Sequence, residues 1–196
     1  MTKDPKTTPT FTMEELLVTP ERLRLVADLA KDSTILLASW GPAEADLMHA
    51  ALGLAGETLE LVEALTIRDK VNFSEELGDM DFYLTMIIRY LDEDTLRQAL
   101  EMSVHTPIMH RPMSLIKTAT LVVDLVKKWV VYEQHELKTE VTATVALLLV
   151  GMSAAAKWGE AKSMIMVRHN NTNKLLRRYP EGTYTDADAK ARADKD

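Results

Sequence analysis

The segment from Gly53 to Leu84 begins GLAGETLELVEAL and ends NFSEELGDMDFYL, and it decides how the rest of this chain is interpreted. Each end of the segment carries two acidic residues at spacing i,i+3, first Glu57 with Glu60 and then Glu76 with Asp79. Residues three apart lie on one face of a helix. Apolar residues flank both pairs, and a loop separates them. The sequence therefore predicts two helices that pack antiparallel and bring the four carboxylates together.

Clustered carboxylates repel one another unless a cation lies between them. An oxygen-only ligand set suits a hard cation, so the pattern predicts a Mg²⁺ or Mn²⁺ site. Its predicted ligands are Glu57, Glu60, Glu76 and Asp79. Such a site with open coordination positions binds and cuts phosphate chains, which makes a phosphate-containing substrate the first hypothesis.

Small residues beside the acidic pairs argue against a simpler interpretation. An i,i+3 acidic pair on a helix most often belongs to a solvated face. Here Gly53, Ala55 and Gly56 precede Glu57, and Gly78 stands inside the second pair. A glycine inside a helix costs about 1 kcal/mol relative to alanine. We therefore expect these small residues to admit another helix close to the carboxylates.

The composition indicates an all-α protein. The chain has 196 residues, of which 46% are hydrophobic, and only 7 glycines and 7 prolines. A net charge of −7 argues against a nucleic-acid surface, and the absence of cysteine excludes disulfides and thiolate sites. The polar N-terminus has no apolar signal segment, and Val145 to Ala156 is too short for a bilayer, which needs about 20 residues. We predict a cytoplasmic protein without membrane or nucleic-acid partners.

Periodicity and capping residues predict an antiparallel helix bundle. We expect a mobile segment at 1–10, one domain over 11–182 and a flexible tail at 183–196. Asn72 with Glu75 resembles a capping box at the start of one helix. The predicted helices span about Thr19–Ser39, Pro42–Ile67, Asn72–Asp92, Asp94–Met102, Met113–Tyr132, Glu136–Lys157 and Glu160–Arg178.

Three blocks of this sequence resemble the MazG-like all-α nucleoside triphosphate pyrophosphohydrolases, relatives of the dimeric dUTPases. The hallmark of that family is ExxE, a spacer and ExxD, to which Glu57-x-x-Glu60, fifteen residues and Glu76-x-x-Asp79 are similar. The third block, NTNKLLRRYPEG starting at Asn171, resembles the family's C-terminal element. The chain is most similar to short phage-type members, although its first pair reads ETLE where many members read EAGE.

The resemblance implies a bundle of the all-α nucleoside triphosphate pyrophosphatase type and a metal-dependent hydrolase. Members cut the α–β bond of a (deoxy)nucleoside triphosphate and release a monophosphate and pyrophosphate. A carboxylate helps to deprotonate the attacking water, and Glu60, Glu63 and Glu75 are all candidates for this role. The base is open: we expect a purine nucleotide such as dGTP, with a pyrimidine nucleotide such as dUTP or dCTP as the alternative.

The C-terminal block, in the light of this resemblance, predicts a phosphate clamp. Asn171, Lys174 and Arg178 lie on one side of the last predicted helix, and Tyr179 follows them. Charge-assisted hydrogen bonds from such residues hold the outer phosphates and stabilise the leaving pyrophosphate. Arg177, on the neighbouring face, is expected to face solvent.

One apolar helix bears on how the chain assembles. The predicted helix over Val141–Ala156 is apolar on most faces. We therefore expect oligomerisation to complete the bundle, as a homodimer or a homotetramer, with the base pocket near a subunit boundary. A phage-type enzyme would work in the cytoplasm of the infected host.

Two other classes also place clustered acidic residues on helices. A di-iron carboxylate bundle typically carries Glu-x-x-His on two helices, and this motif does not occur in the sequence. The second class is a non-catalytic helical interaction protein in which the acidic residues have lost their role. The presence of all four acidic residues of the two pairs argues against it.

A faint internal similarity relates Leu52–Asp92 to Ile116–Ala156. A shift of 64 residues places Glu76 on Glu140, but Asp79 falls on an alanine. If this is a true duplication, the second half has lost its metal site and serves as scaffold beside the first. The sequence leaves both readings open.

Overall fold

A computed structural model describes residues 38–105, 112–181 and 185–191. The chain divides into two units, Met1–Ser39 and Trp40–Asp196, and all but the first two described residues belong to the second. The predicted mobile segment at 1–10 and almost all of the predicted helix Thr19–Ser39 lie outside the described residues. The predicted domain limits therefore stay predictions.

The described part of the second unit is helical, without strands, which confirms the predicted all-α class. Its helices are α1 (Pro42–Ile67), α2 (Lys70–Ile88), α3 (Glu93–Ser103), α4 (Pro112–Val131), α5 (Lys138–Ala156), α6 (Met164–Arg178) and α7 (Asp186–Ala191). A 3-10 turn, His135–Leu137, leads into α5. The short helix α7 was not predicted, because its segment was assigned to a flexible tail.

A tight connection joins α1 to α2. Arg68 ends α1 in the left-handed conformation (φ 60°). The Asp69 carboxylate then caps α2 by accepting the backbone N–H groups of Val71 and Asn72 at 3.1 and 3.0 Å. The predicted cap at Asn72 was therefore wrong. The far end of α2 was also predicted too long, because Asp92 caps α3 instead.

The loop before α6 is fastened to the start of α2. The backbone N–H of Glu160 donates to the Lys70 carbonyl at 3.0 Å, and that of Ala161 donates to Ser74 Oγ at 3.1 Å. The Ser163 hydroxyl oxygen then caps α6 by accepting a hydrogen bond from the backbone N–H of Met166. The helix consequently begins later than the predicted Glu160, and these contacts place it alongside α2.

The core lies between α1, α2, α4 and α5, and α3 covers a further face of α5. Its largest fully buried side chains include Leu54, Leu77, Met80, Val126 and Met152. By length and composition alone, the segment His135–Ala156 is long and apolar enough to cross a membrane. The apolar stretch predicted from the sequence, Val145 to Ala156, was therefore too short. Half of the most apolar part of His135–Ala156 is buried inside the fold, as in a core helix of a soluble helical protein.

The predicted internal repeat corresponds to two helix hairpins, α1–α2 and α4–α5, and α5 packs against α2. The second hairpin has a different polar chemistry. Asp124 forms surface ion pairs with Lys127 and Lys128, and Glu140 is exposed. Duplication itself stays an open prediction.

Candidate metal centre

Three acidic residues converge where α1 faces α2. Glu57 from α1 and Glu76 and Asp79 from α2 each place a carboxylate oxygen within 4.8 Å of the others. Glu76 is only 6% exposed, and the other two residues are half-buried. Among the described residues, this is the group of acidic and histidine side chains close enough to hold a metal ion. The structure thus brings together three of the four predicted ligands.

The other predicted carboxylates lie around this triad. Glu60 is exposed, yet its charge raises the pKa values of Glu57 and Glu76. Glu63 is exposed about one turn farther along α1, whereas Glu75 is half-buried and accepts a hydrogen bond from Lys174. A ligand role for Glu60 and the choice of general base stay predictions.

Burial and mutual repulsion dominate the electrostatics of the triad. Burial, together with the charges of Glu60 and Asp79, raises the pKa of Glu76 to about 8. Burial likewise raises the pKa of Glu57, with the charge of Asp79 next and that of Lys174 acting in the opposite direction. Burial and mutual repulsion disfavour the ionised form of these carboxylates, whereas a bound cation would favour it. The cluster is therefore suited to hold a cation. The donor set contains oxygen atoms alone, so it suits a hard metal ion.

Helix α6 supplies the donors that face this triad. Asn171 Nδ2 donates to Asp79 Oδ1 at 2.6 Å. Lys174 Nζ donates to Asp79 Oδ2 at 2.5 Å and to Glu75 Oε1 at 3.1 Å. Burial alone would lower the pKa of Lys174, but the hydrogen bond and charge of Asp79, together with Glu75, raise it on balance. Lys174 is therefore a buried, charged partner of the acidic residues.

Two of the predicted small-residue contacts are confirmed. A Cβ added to Gly78 would lie 2.9 Å from Asn171 Cβ, so this glycine lets α6 approach α2. A Cβ added to Gly53 would lie 2.3 Å from the Tyr83 ring. The expectation for Gly56 was wrong, because a Cβ there would meet no atom within 4 Å.

A forked ion pair that was not predicted from the sequence also fastens α6 to α2. Arg168 Nε and Nη2 donate to the Asp81 carboxylate at distances of 2.8–3.1 Å. Asp81 is 7% exposed, so the pair satisfies a buried charge. The sequence did contain a signal for this face of α6. Spacings of three, three and four residues place four polar residues along one helix face: Arg168, Asn171, Lys174 and Arg178.

A cavity of about 480 Å³ adjoins the triad. Its lining residues include Glu57, Asp79, Tyr83, Arg178 and Tyr179. Burial raises the pKa of Tyr83, and the charges of Glu57 and Asp79 add to the effect. The phenol therefore stays protonated at neutral pH and can donate a hydrogen bond to an anion in this cavity.

A second cavity, of about 390 Å³, is lined by residues of α2, of α6 and of the loop before α6. Glu75, Lys174 and Arg177 contribute to its lining. Arg177 is exposed, as predicted. Lys174 and Arg178 were predicted to bind the same phosphates, but they line different cavities. Lys174 is nevertheless hydrogen-bonded to Asp79, which lines the cavity of about 480 Å³.

Comparisons with models of protein families, with known proteins and with solved structures give no match for this chain. The functional interpretation consequently depends on the chemistry of the site and on the sequence motifs.

Proposed function

We propose that this protein hydrolyses a (deoxy)nucleoside triphosphate at its α–β bond, with Mg²⁺ or Mn²⁺, as a member of the MazG-like pyrophosphohydrolases. The observation that carries the proposal is a triad of carboxylates, within 4.8 Å of one another, beside a cavity of about 480 Å³. Pockets of about 300–1,000 Å³ are typical of small-molecule sites. The acidic motifs and the C-terminal block, which resemble that family, support the same assignment.

Glu57, Glu76 and Asp79 would hold the metal ion, and exposed Glu60 stands next to them as a further ligand. When bound, the ion neutralises phosphate charge and lowers the pKa of a water molecule. The water oxygen forms a bond to the α-phosphorus as the bridging oxygen leaves on pyrophosphate. A carboxylate takes the water proton, with Glu60, Glu63 and Glu75 as candidates.

The donors around the cavity fit the phosphate chain of such a substrate. Arg178 and Tyr179 line the cavity directly, and protonated Tyr83 adds a neutral donor. Lys174 and Asn171 contact Asp79 from α6 and lie within reach of the same region. We propose that these residues bind the phosphates, with a purine nucleotide such as dGTP preferred over dUTP or dCTP.

We also propose a homodimer or homotetramer in the cytoplasm, but the surface that supports assembly differs from the predicted one. Nine of the 19 residues of α5 are already buried inside the unit. An apolar stripe lies exposed on α1 instead, where Leu52 is 67% and Leu59 is 60% exposed. Residues at spacing i,i+7 share a helix face, so these two leucines form one exposed stripe. Light scattering that shows a monomer at micromolar concentration would contradict this proposal.

The decisive experiment measures pyrophosphate released from a panel of nucleoside tri- and diphosphates in Mg²⁺. Glu57→Gln keeps the side-chain shape and removes one ligand charge, so turnover should fall by at least about 100-fold. The matched control is Glu101→Gln, an exposed position on α3, which should retain wild-type turnover. Glu60→Gln tests the fourth predicted ligand. Absence of pyrophosphate from every nucleotide would refute the proposed function.

A further inference from the structure

Lys174 places a buried positive charge against one candidate metal ligand. The residue is only 8% exposed, and its ammonium donates to Asp79 Oδ2 at 2.5 Å. Asn171 donates to the other oxygen of the same carboxylate at 2.6 Å. Both oxygens of Asp79 therefore already accept hydrogen bonds from α6.

We propose that Lys174 is a built-in counter-cation that competes with the metal ion for Asp79. This inference rests on the proposed function, because it takes the triad as the metal site. The ammonium partly neutralises the triad in the metal-free protein, so it stabilises the cluster and weakens the attraction for a second cation. At separations on the order of 5 Å and an effective dielectric constant of about 20, the repulsion between the ammonium and a divalent metal ion is large enough to weaken metal binding more than tenfold.

A phosphate chain reverses this antagonism. Its oxygens accept hydrogen bonds from an ammonium group and bring negative charge of their own. When Lys174 turns from Asp79 to a phosphate, the carboxylate is free to bind the metal ion. Metal and nucleotide consequently bind with positive coupling, and by linkage each raises the affinity of the other. The site binds metal weakly when it is empty and firmly when substrate is present.

The first test measures Mn²⁺ affinity by calorimetry on nucleotide-free protein. Lys174→Met removes the charge and keeps an extended side chain, so Mn²⁺ should bind about tenfold more tightly or better. Asn171→Ala removes a neutral donor to the same carboxylate and is the matched control, for which we expect a change smaller than about threefold. An affinity of Lys174→Met equal to or weaker than that of the wild type overturns the competition. If neither wild type nor Lys174→Met binds Mn²⁺, the metal site and the proposed function fail together.

A second measurement uses the wild-type chain and so does not depend on how the variant folds. An amine-reactive ester modifies Lys174, and mass spectrometry of the peptides measures the rate. Saturating Mn²⁺ should raise this rate several-fold, because the ion displaces the ammonium from Asp79. An unchanged or slower rate at saturating Mn²⁺ would show that metal and lysine share the carboxylate without competing.

Discussion

Replacement of Glu76 by glutamine should stabilise the metal-free protein while removing its response to metal. Glu76 is 6% exposed, and its pKa is raised from 4.5 to about 8. Between these values the folded state binds more protons than the unfolded state, so the free energy of unfolding falls as pH rises through this window. At 1.36 kcal/mol per pKa unit, the ionisable side chain destabilises the fold by about 3 kcal/mol at pH 7 and by less than about 1 kcal/mol at pH 5.

Glu76→Gln removes this cost and keeps the shape of the side chain. For a unit of this size, about 3 kcal/mol corresponds to a melting temperature roughly 6–12 °C higher at pH 7. The assay is a thermal melt, followed by circular dichroism, in EDTA at pH 5 and pH 7. The gap between variant and wild type should be small at pH 5 and large at pH 7.

Metal should narrow this difference in stability. Millimolar Mg²⁺ should raise the melting temperature of the wild type through binding to the folded state, and it should raise that of Glu76→Gln much less. Glu63→Gln, an exposed neighbour of the site on α1, is the matched control and should follow the wild type in every buffer. A Glu76→Gln variant that melts below the wild type in EDTA at pH 7 would refute the repulsion argument, because the carboxylate would then be a net stabilising group.

Two further predictions use pairs of matched variants, and a third uses a single variant. Arg178→Ala should lower kcat/KM by about one to two decades for every accepted nucleotide, whereas Arg177→Ala should do little; the reverse order in steady-state kinetics would place the clamp in the smaller cavity. Gly56→Ala should raise stability in urea melts by up to about 1 kcal/mol, because the position is open and alanine favours helix, while Gly53→Ala should destabilise through its contact with the neighbouring tyrosine ring. Arg168→Ala should lower the free energy of unfolding in urea melts by about 1–3 kcal/mol, since it leaves a buried aspartate without its partner.

The helices and the acidic hairpin were predictable because their signals are local. Apolar periodicity located α1 to its observed ends, and i,i+3 spacing placed Glu76 and Asp79 together. The same spacing in α1 decided less, because Glu57 is half-buried at the triad whereas Glu60 is exposed, and the role of Glu60 as a ligand stays a prediction. Spacing fixes neighbours on a helix, but it does not fix which neighbour faces the partner helix.

The attachment of α6 to α2 was not predictable from local signals. The residues of each contact, such as Asp81 with Arg168, are 87 or more positions apart in the chain. The start of α6 was mispredicted for a related reason. Ser163 caps α6 three residues after the predicted start at Glu160, and the Glu160 backbone N–H donates instead to the Lys70 carbonyl of α2, which is a tertiary contact.

The way in which α6 is attached connects stability with function. The apolar residues that α6 buries are Met164 and Val167, both at its N-terminal end. Its hydrogen bonds to α2 reach Asp79, a carboxylate of the triad, and the neighbouring carboxylates of Glu75 and Asp81. Asp79 therefore serves both as a candidate metal ligand and as the acceptor that holds α6 in place. A substitution at this position changes helix docking and metal binding at once, so a loss of activity there does not by itself identify a ligand. Asn171→Ala separates the two roles, because it removes a docking contact and leaves both the carboxylate and the charge of Lys174 in place.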